Sequence, residues 1–207
     1  SKRLRENNRW GLQETPELKF LDLKLGNTCN LKCRICSPGS SSNWIKEHKD
    51  VYGSDIVTTI ANKVKSDRKQ VMQWPEYNQN FWDDLDKILP DVELFEIYGG
   101  EPFLIQEHFD MLQGIVDRGI ADQVEIHYNT NGTHYPERAI DVWRHFRTVE
   151  IAFSIDDVGS RFEYQRTGAK WTEVCDNIAR FQKLRGGYPG IKLQCCTTVN
   201  VFNVRYL

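Results

Sequence analysis

Three of the six cysteines fall within one short stretch, Cys29-Asn30-Leu31-Lys32-Cys33-Arg34-Ile35-Cys36, directly after an apolar run at residues 18–25. That order predicts a strand running into a loop, and Gly26, Asn27 and Asn30 supply the turn chemistry for wrapping a backbone around a bound centre. Thiolates at this spacing can hold one metal centre together. Three ligands are one short of a closed structural zinc site, whereas an iron-sulfur cluster held by three keeps one iron free for another ligand. Two blander readings stand beside this one. Positions i, i+4 and i+7 share a helix face, so the cysteines could be core residues, or a zinc site completed by a distant fourth ligand. A disulfide framework does not suit a chain of 207 residues without a signal segment.

Composition sets few further limits. With 40% hydrophobic residues the chain can bury an ordinary core and is most simply one domain, preceded by a polar arm at residues 1–17 with Trp10 and Leu12 as anchors. A net charge of -2 gives no global sign of nucleic-acid binding. No apolar run reaches membrane-spanning length, and Ser1-Lys2-Arg3-Leu4-Arg5 lacks the apolar core of a secretory signal, so a cytoplasmic location is expected.

Strand and helix patterns alternate along the rest. After the cysteine loop a helix is expected through Trp44 to about Lys49, with the serine run before it as a cap. Residues 51–80 turn polar and read as an insertion holding one helical pattern, Ile56, Ile60 and Val64. Phe81, Leu85 and Ile88 begin the return to the main domain. Strands are then predicted at 92–98, 124–129, 149–155 and 191–199. Between them lie helices carrying Ile105, Phe109, Leu112 and Val116, then Ala139, Ile140, Trp143 and Phe146, and last a helix over 170–184 stopped by Gly186-Gly187. Helices between strands imply crossovers and a parallel sheet or barrel. Val149, Ile151, Phe153 and Ile155 alternate with polar neighbours, as do Val124, Ile126 and Tyr128. If helices cover the apolar parity, the polar one, including Glu125, His127, Lys192 and Gln194, lines a barrel lumen able to hold ligands.

The spacing Cys-x3-Cys-x2-Cys resembles the cluster loop of the radical S-adenosylmethionine (SAM) superfamily, and Tyr98-Gly99-Gly100-Glu101-Pro102, directly after a strand, resembles that family's Gly-Gly-Glu-Pro segment. The resemblance covers residues 18–200. It implies a partial (β/α)6 TIM-like barrel, with five strands readable here and the site at the strand C-termini. It implies that Cys29, Cys33 and Cys36 bind a 4Fe-4S cluster whose fourth iron takes SAM. Reductive cleavage by an external electron donor would then give a 5'-deoxyadenosyl radical that abstracts hydrogen from a substrate.

The same resemblance assigns expected cofactor contacts. Gly99 and Gly100 would let the backbone approach the methionine moiety, and Glu101 would meet its ammonium group. Asn129 and Thr130, in Asn129-Thr130-Asn131-Gly132, would form a SAM-facing turn, Ser154 and Asp156 a ribose-facing segment, and Arg166 would take the SAM carboxylate, with Arg161 as its rival. Ile35 and the fifth strand, Leu193-Gln194-Cys195-Cys196-Thr197, depart from the family pattern around the adenine. The style is closest to members with a C-terminal twitch or SPASM-type domain, an auxiliary domain expected to be absent from this chain. By analogy with them a polar substrate is expected, a peptide slightly favoured over a small metabolite. The rival from another class is a non-catalytic iron-sulfur or zinc binding module.

Overall fold

The computed structural model describes residues 10, 11 and 17–206, so most of the expected N-terminal arm, Leu12 included, lies outside the described residues. Five strands form one parallel sheet in the order β1 (Phe20–Lys24), β3 (Leu94–Tyr98), β4 (Glu125–Thr130), β5 (Thr148–Ser154) and β7 (Ile191–Cys196). Two short strands, β2 (Lys32–Cys33) and β6 (Arg166–Thr167), pair antiparallel apart from it. The helices are α1 (Ile45–Tyr52), α2 (Ile56–Val64), α3 (Arg68–Met72), α4 (Trp74–Tyr77), α5 (Gln79–Ile88), α6 (Glu107–Asp117), α7 (Glu137–Trp143), α8 (Gly159–Gln165) and α9 (Trp171–Gly187). Every crossover between neighbouring sheet strands carries helix, which makes this the partial TIM-like α/β barrel expected, with five strands.

The period-two alternation sorts the two faces of the sheet. Leu23, Phe95, Ile97, Ile126, Tyr128, Val149, Ile151 and Phe153 are buried in one core with Phe109, Leu112 and Ile115 of α6, Val142 and Trp143 of α7, and Phe181 of α9. Trp143 lies 5.4 Å from the Tyr128 ring and Phe181 5.3 Å from Phe153, centroid to centroid. Burying each such side chain stabilises the fold by about 1.5–3 kcal/mol. The opposite parity is polar. Asp22, Glu96, His127, Glu150 and Lys192 stand in register across all five strands, forming one charged row on the inner face.

Several boundaries differ from the expectation, each for a local reason. The strand predicted from Val92 begins at Leu94 because a turn built on Pro90 closes with the Val92 N–H on the Leu89 carbonyl. The last strand ends at Cys196, not 199. There the Thr197 hydroxyl donates to the Ile155 carbonyl at 2.7 Å and the Thr198 N–H to Asp156 at 3.0 Å, drawing the chain off the sheet. Helix α9 runs through Gly186 and Gly187 and stops before Pro189-Gly190. Residues 51–80 hold three short helices and the start of α5, where one pattern was expected. The Asp55 cap, the Asp67–Gln70 capping box and Pro75 in the first turn of α4 define them, and α3 and α4 are too short to show a period.

One core residue is costly. His108 is fully buried between Phe109 and Tyr128, and among the described residues neither ring nitrogen has a well-formed hydrogen bond. Burial pushes its pKa down from 6.5 to about 3, only partly offset by the Ile105 backbone. A folded-state pKa below the unfolded one means stability that is complete above pH 6.5 and lost as pH falls toward 3, by up to about 4–5 kcal/mol. His108→Leu is expected to remove that loss. Urea midpoints of the variant should match the wild type at pH 7 and exceed it at pH 4, and equal midpoints at pH 4 would contradict the assignment.

Candidate functional site

The loops at the C-terminal ends of the strands converge on the cysteine loop. Cys33 lies in β2, opposite Arg166 of β6, and the Arg34 N–H donates to the Gln165 carbonyl at 2.8 Å. This small ladder fixes the middle of the loop to the segment after β5. The helix reading of the three cysteines does not hold, because Cys33 is in a strand and Cys29 and Cys36 are in the irregular chain on either side of it. Ser41 anchors the far side, donating to the Leu31 carbonyl at 2.5 Å and capping the turn before α1, which is the capping role expected of the serine run.

Gly99 and Gly100 set the depth of the loop. Both have positive φ, +97° and +55°. A Cβ on Gly100 would lie 2.0 Å from the Thr28 carbonyl oxygen, and one on Gly99 2.9 Å from the Gly26 carbonyl oxygen. The glycines therefore let the β3 turn press against the chain leading into Cys29. The Glu101 N–H completes the contact, donating to the Thr28 carbonyl at 2.8 Å.

Glu101 itself is fully enclosed. Its carboxylate accepts from the Thr130 hydroxyl at 2.7 Å, the Asn131 N–H at 2.8 Å and the Phe103 N–H at 3.3 Å. Thr130 is thus a strut between the β3 and β4 turns, on the buried parity of β4, and Asn129 stands on the inner parity. Burial raises the Glu101 pKa from 4.5 to about 7 against the opposing pull of those three donors and of Arg166. The sign is the reverse of His108: the Glu101 contribution to the stability of the cofactor-free protein is complete below pH 4.5, and about 3 kcal/mol of it is lost by the time pH has risen through 7. Glu101→Gln should flatten that slope. Denaturation at pH 5 and pH 8 tests it, and an unchanged slope would show that the carboxylate is not the titrating group.

Asp156 and Arg166 form a buried ion pair, Oδ2 to Nη2 2.6 Å, a charge contact without good hydrogen-bond alignment. Asp156 also accepts from the Thr198 N–H at 3.0 Å, and the fully buried Asn203 donates to its backbone carbonyl at 2.7 Å. Arg166 reaches toward the Cys33 sulfur, Nη1 to Sγ 3.8 Å, and its Nε is buried without a partner among the described residues. Arg161 lies elsewhere: it pairs with Asp157 at 2.9 Å and stacks on Tyr206. Ser154 ends β5 beside Cys196 on the inner parity. The residues named from sequence are thus brought into one mouth, with Thr130 and the Glu101 carboxylate inside its wall. Asn131, in the turn expected to face SAM, donates toward Cys29 at 3.9 Å, whereas Asn203 was missed, because an Asn in a loop after a strand reads only as a turn residue.

The donor set suits a cluster. Burial raises the Cys29 pKa; the Cys33 thiol, hydrogen-bonded to Cys36, is itself raised, and that hydrogen bond together with Arg166 holds Cys36 down to about 7 against burial. One loop therefore presents three soft donors, one of them close to thiolate at neutral pH, beside a buried guanidinium N–H that has no internal partner. Among the described residues no group of three or more His, Cys, Asp or Glu converges on a single metal ion, and no helix is long and apolar enough to cross a membrane.

Solved structures share the fold. Native anSMEcpe with bound AdoMet is 18% identical with a TM-score of 0.59, covering 91% of this chain and 46% of that one. The same protein with AdoMet and the Kp18Cys peptide is 19% identical at 0.59, covering 92% and 46%. Streptococcus suis SuiB bound to precursor peptide SuiA is 14% identical at 0.49, covering 95% and 36%. The chain thus spans less than half the length of each. No curated protein matches the sequence. The model of the radical SAM superfamily matches residues 23–196, most of the chain, and the protein belongs to that superfamily of enzymes, whose cofactors are a 4Fe-4S cluster and SAM.

Proposed function

We propose that this chain is the SAM-cleaving core of a radical enzyme acting on a polar substrate, with a peptide side chain as the favoured class. The observation that carries the reading is the β2–β6 ladder, which sets Cys33 opposite Arg166 at the mouth of a barrel whose inner face is polar. Cys29, Cys33 and Cys36 would hold the cluster. The chemistry it supplies with SAM is one-electron cleavage of the sulfonium to methionine and a 5'-deoxyadenosyl radical, the electron coming from an external donor.

The chain's own residues bind, orient and exclude water. Arg166, with a buried Nε free of internal partners, offers a fork for the SAM carboxylate, and the backbone at Gly99, Gly100 and Glu101 lines the amino-acid end. Asn129, Ser154 and Gln194 stand on the inner parity nearest the mouth, where a ribose or substrate would meet them. The peptide class rests on the peptide held beside AdoMet in one similar structure. Arg166→Ala is expected to weaken SAM binding by roughly 1–3 kcal/mol, the loss of a charge-assisted hydrogen bond, with Arg161→Ala unchanged. The substrate test supplies SAM and reductant with deuterated peptides or a labelled metabolite extract. Deuterium in 5'-deoxyadenosine from peptides supports the reading, and transfer from metabolites alone contradicts it.

A further inference from the structure

We infer that Asn131 and Arg166 set the reduction potential of the cluster by donating N–H bonds to the sulfurs of Cys29 and Cys33, with Asp156 as the positioning residue for Arg166. The inference rests on the proposed function and asks what lies one shell beyond the ligands. Hydrogen bonds and positive charge at ligand sulfurs favour the reduced, more negative cluster and so raise its potential.

Both donors are aimed by their surroundings. The Asn131 Oδ1 accepts from the Thr133 N–H at 2.9 Å and from its hydroxyl at 2.6 Å, which assigns the amide so that Nδ2 faces Cys29 at 3.9 Å and Asn30 Oδ1 at 3.0 Å. The Asn131 backbone N–H is held by Glu101. The Leu31 N–H adds a third donor at 3.4 Å from the Cys29 sulfur. Arg166 is 7% exposed, its cross-strand pairing with Cys33 fixes the backbone, and Asp156 fixes one arm of the fork at 2.6 Å while the other approaches Cys33 at 3.8 Å. Asp156 is itself tied to Thr198 and Asn203, so the turn after β7 supports the donor. Two side chains from different strand ends, each pinned by independent partners and each directed at a different ligand sulfur, are more than the ion pairing of a stable loop requires. In a dry site a guanidinium this close acts with little screening.

The test is a redox titration, followed by paramagnetic resonance, of anaerobically reconstituted protein without SAM, after iron and sulfide have been counted. Arg166→Gln and Asn131→Leu are each expected to shift the reduced-to-oxidised ratio about tenfold toward oxidised at a fixed potential, equivalent to about 59 mV for one electron. Arg161→Gln, in the neighbouring ion pair, should leave the ratio unchanged. Asp156→Glu, which keeps the charge and displaces the carboxylate, should reproduce part of the Arg166→Gln shift. A full cluster in Arg166→Gln and Asn131→Leu with ratios within about twofold of wild type overturns the inference. Should Arg166→Gln fail to load iron, Arg166→Lys decides, since it keeps the charge and loses the fork: an intermediate ratio supports the role, and a wild-type ratio there and in Asn131→Leu overturns it. Wild-type protein that takes up no four-iron cluster overturns the function beneath the inference, a result distinct from an unmoved potential.

Discussion

Alanine at Cys29, Cys33 or Cys36 is expected to cut iron uptake by roughly tenfold or more and to abolish SAM cleavage, whereas Cys175→Ala does neither. The three loop cysteines are donors from one segment held at both ends, by Ser41 on one side and by the Cys33–Arg166 ladder on the other. Removing one leaves two thiolates, too few for a cluster that already lacks a fourth protein ligand. Cys175 sits on α9, the helix that covers the apolar face of the sheet. Iron and sulfide assays with absorption spectra, under anaerobic handling because exposed thiolates oxidise, measure the outcome. A full cluster in any of the three loop variants would remove that cysteine from the ligand set.

Gly100→Ala is the second large effect, and it acts first through contacts within the chain. Its Cβ would meet the Thr28 carbonyl oxygen at 2.0 Å, so the turn or the approach to Cys29 must move. The left-handed conformation costs about 1–2 kcal/mol for a residue with a side chain, and the overlap about 1–3 more. Gly119→Ala provides the comparison, because it too has positive φ, +69°, but a Cβ there would meet nothing within 4 Å. Denaturation should find Gly100→Ala the less stable of the two by about 1–3 kcal/mol, with reduced cluster loading as well. Equal stabilities would mean that the close approach of the two loops is not maintained in solution.

Comparison of these two sites shows what a single sequence makes legible. The cysteine spacing, the helical patterns between strands and the alternation on β4 and β5 are local signals; the parallel sheet follows from the second and the sorting of its faces from the third. The purpose of Gly99 and Gly100 was not legible, since the atoms that crowd them belong to residues 24–28, more than seventy positions earlier. Glu101 was expected to meet the SAM ammonium group, and its enclosure was not legible, because the three donors that hold its carboxylate become neighbours only when β3 and β4 pair. Arg166 was placed ahead of its rival Arg161 by the family resemblance alone, not by any local pattern. The two-residue ladder that separates them is too short to show a strand period, and the Asn203 contact that supports Asp156 spans 47 residues. Local chemistry is written in neighbouring residues; the enclosure of a site is written in contacts between turns.

The central claim is that the three-cysteine loop holds a cluster with one iron open to SAM. Paramagnetic resonance of the reduced, reconstituted protein before and after SAM addition tests it most directly. About four irons per chain are expected, with a spectrum that changes when SAM binds and a weaker change in Arg166→Ala. A four-iron spectrum indifferent to saturating SAM, or a colourless protein holding zinc in stoichiometric amount, would contradict it.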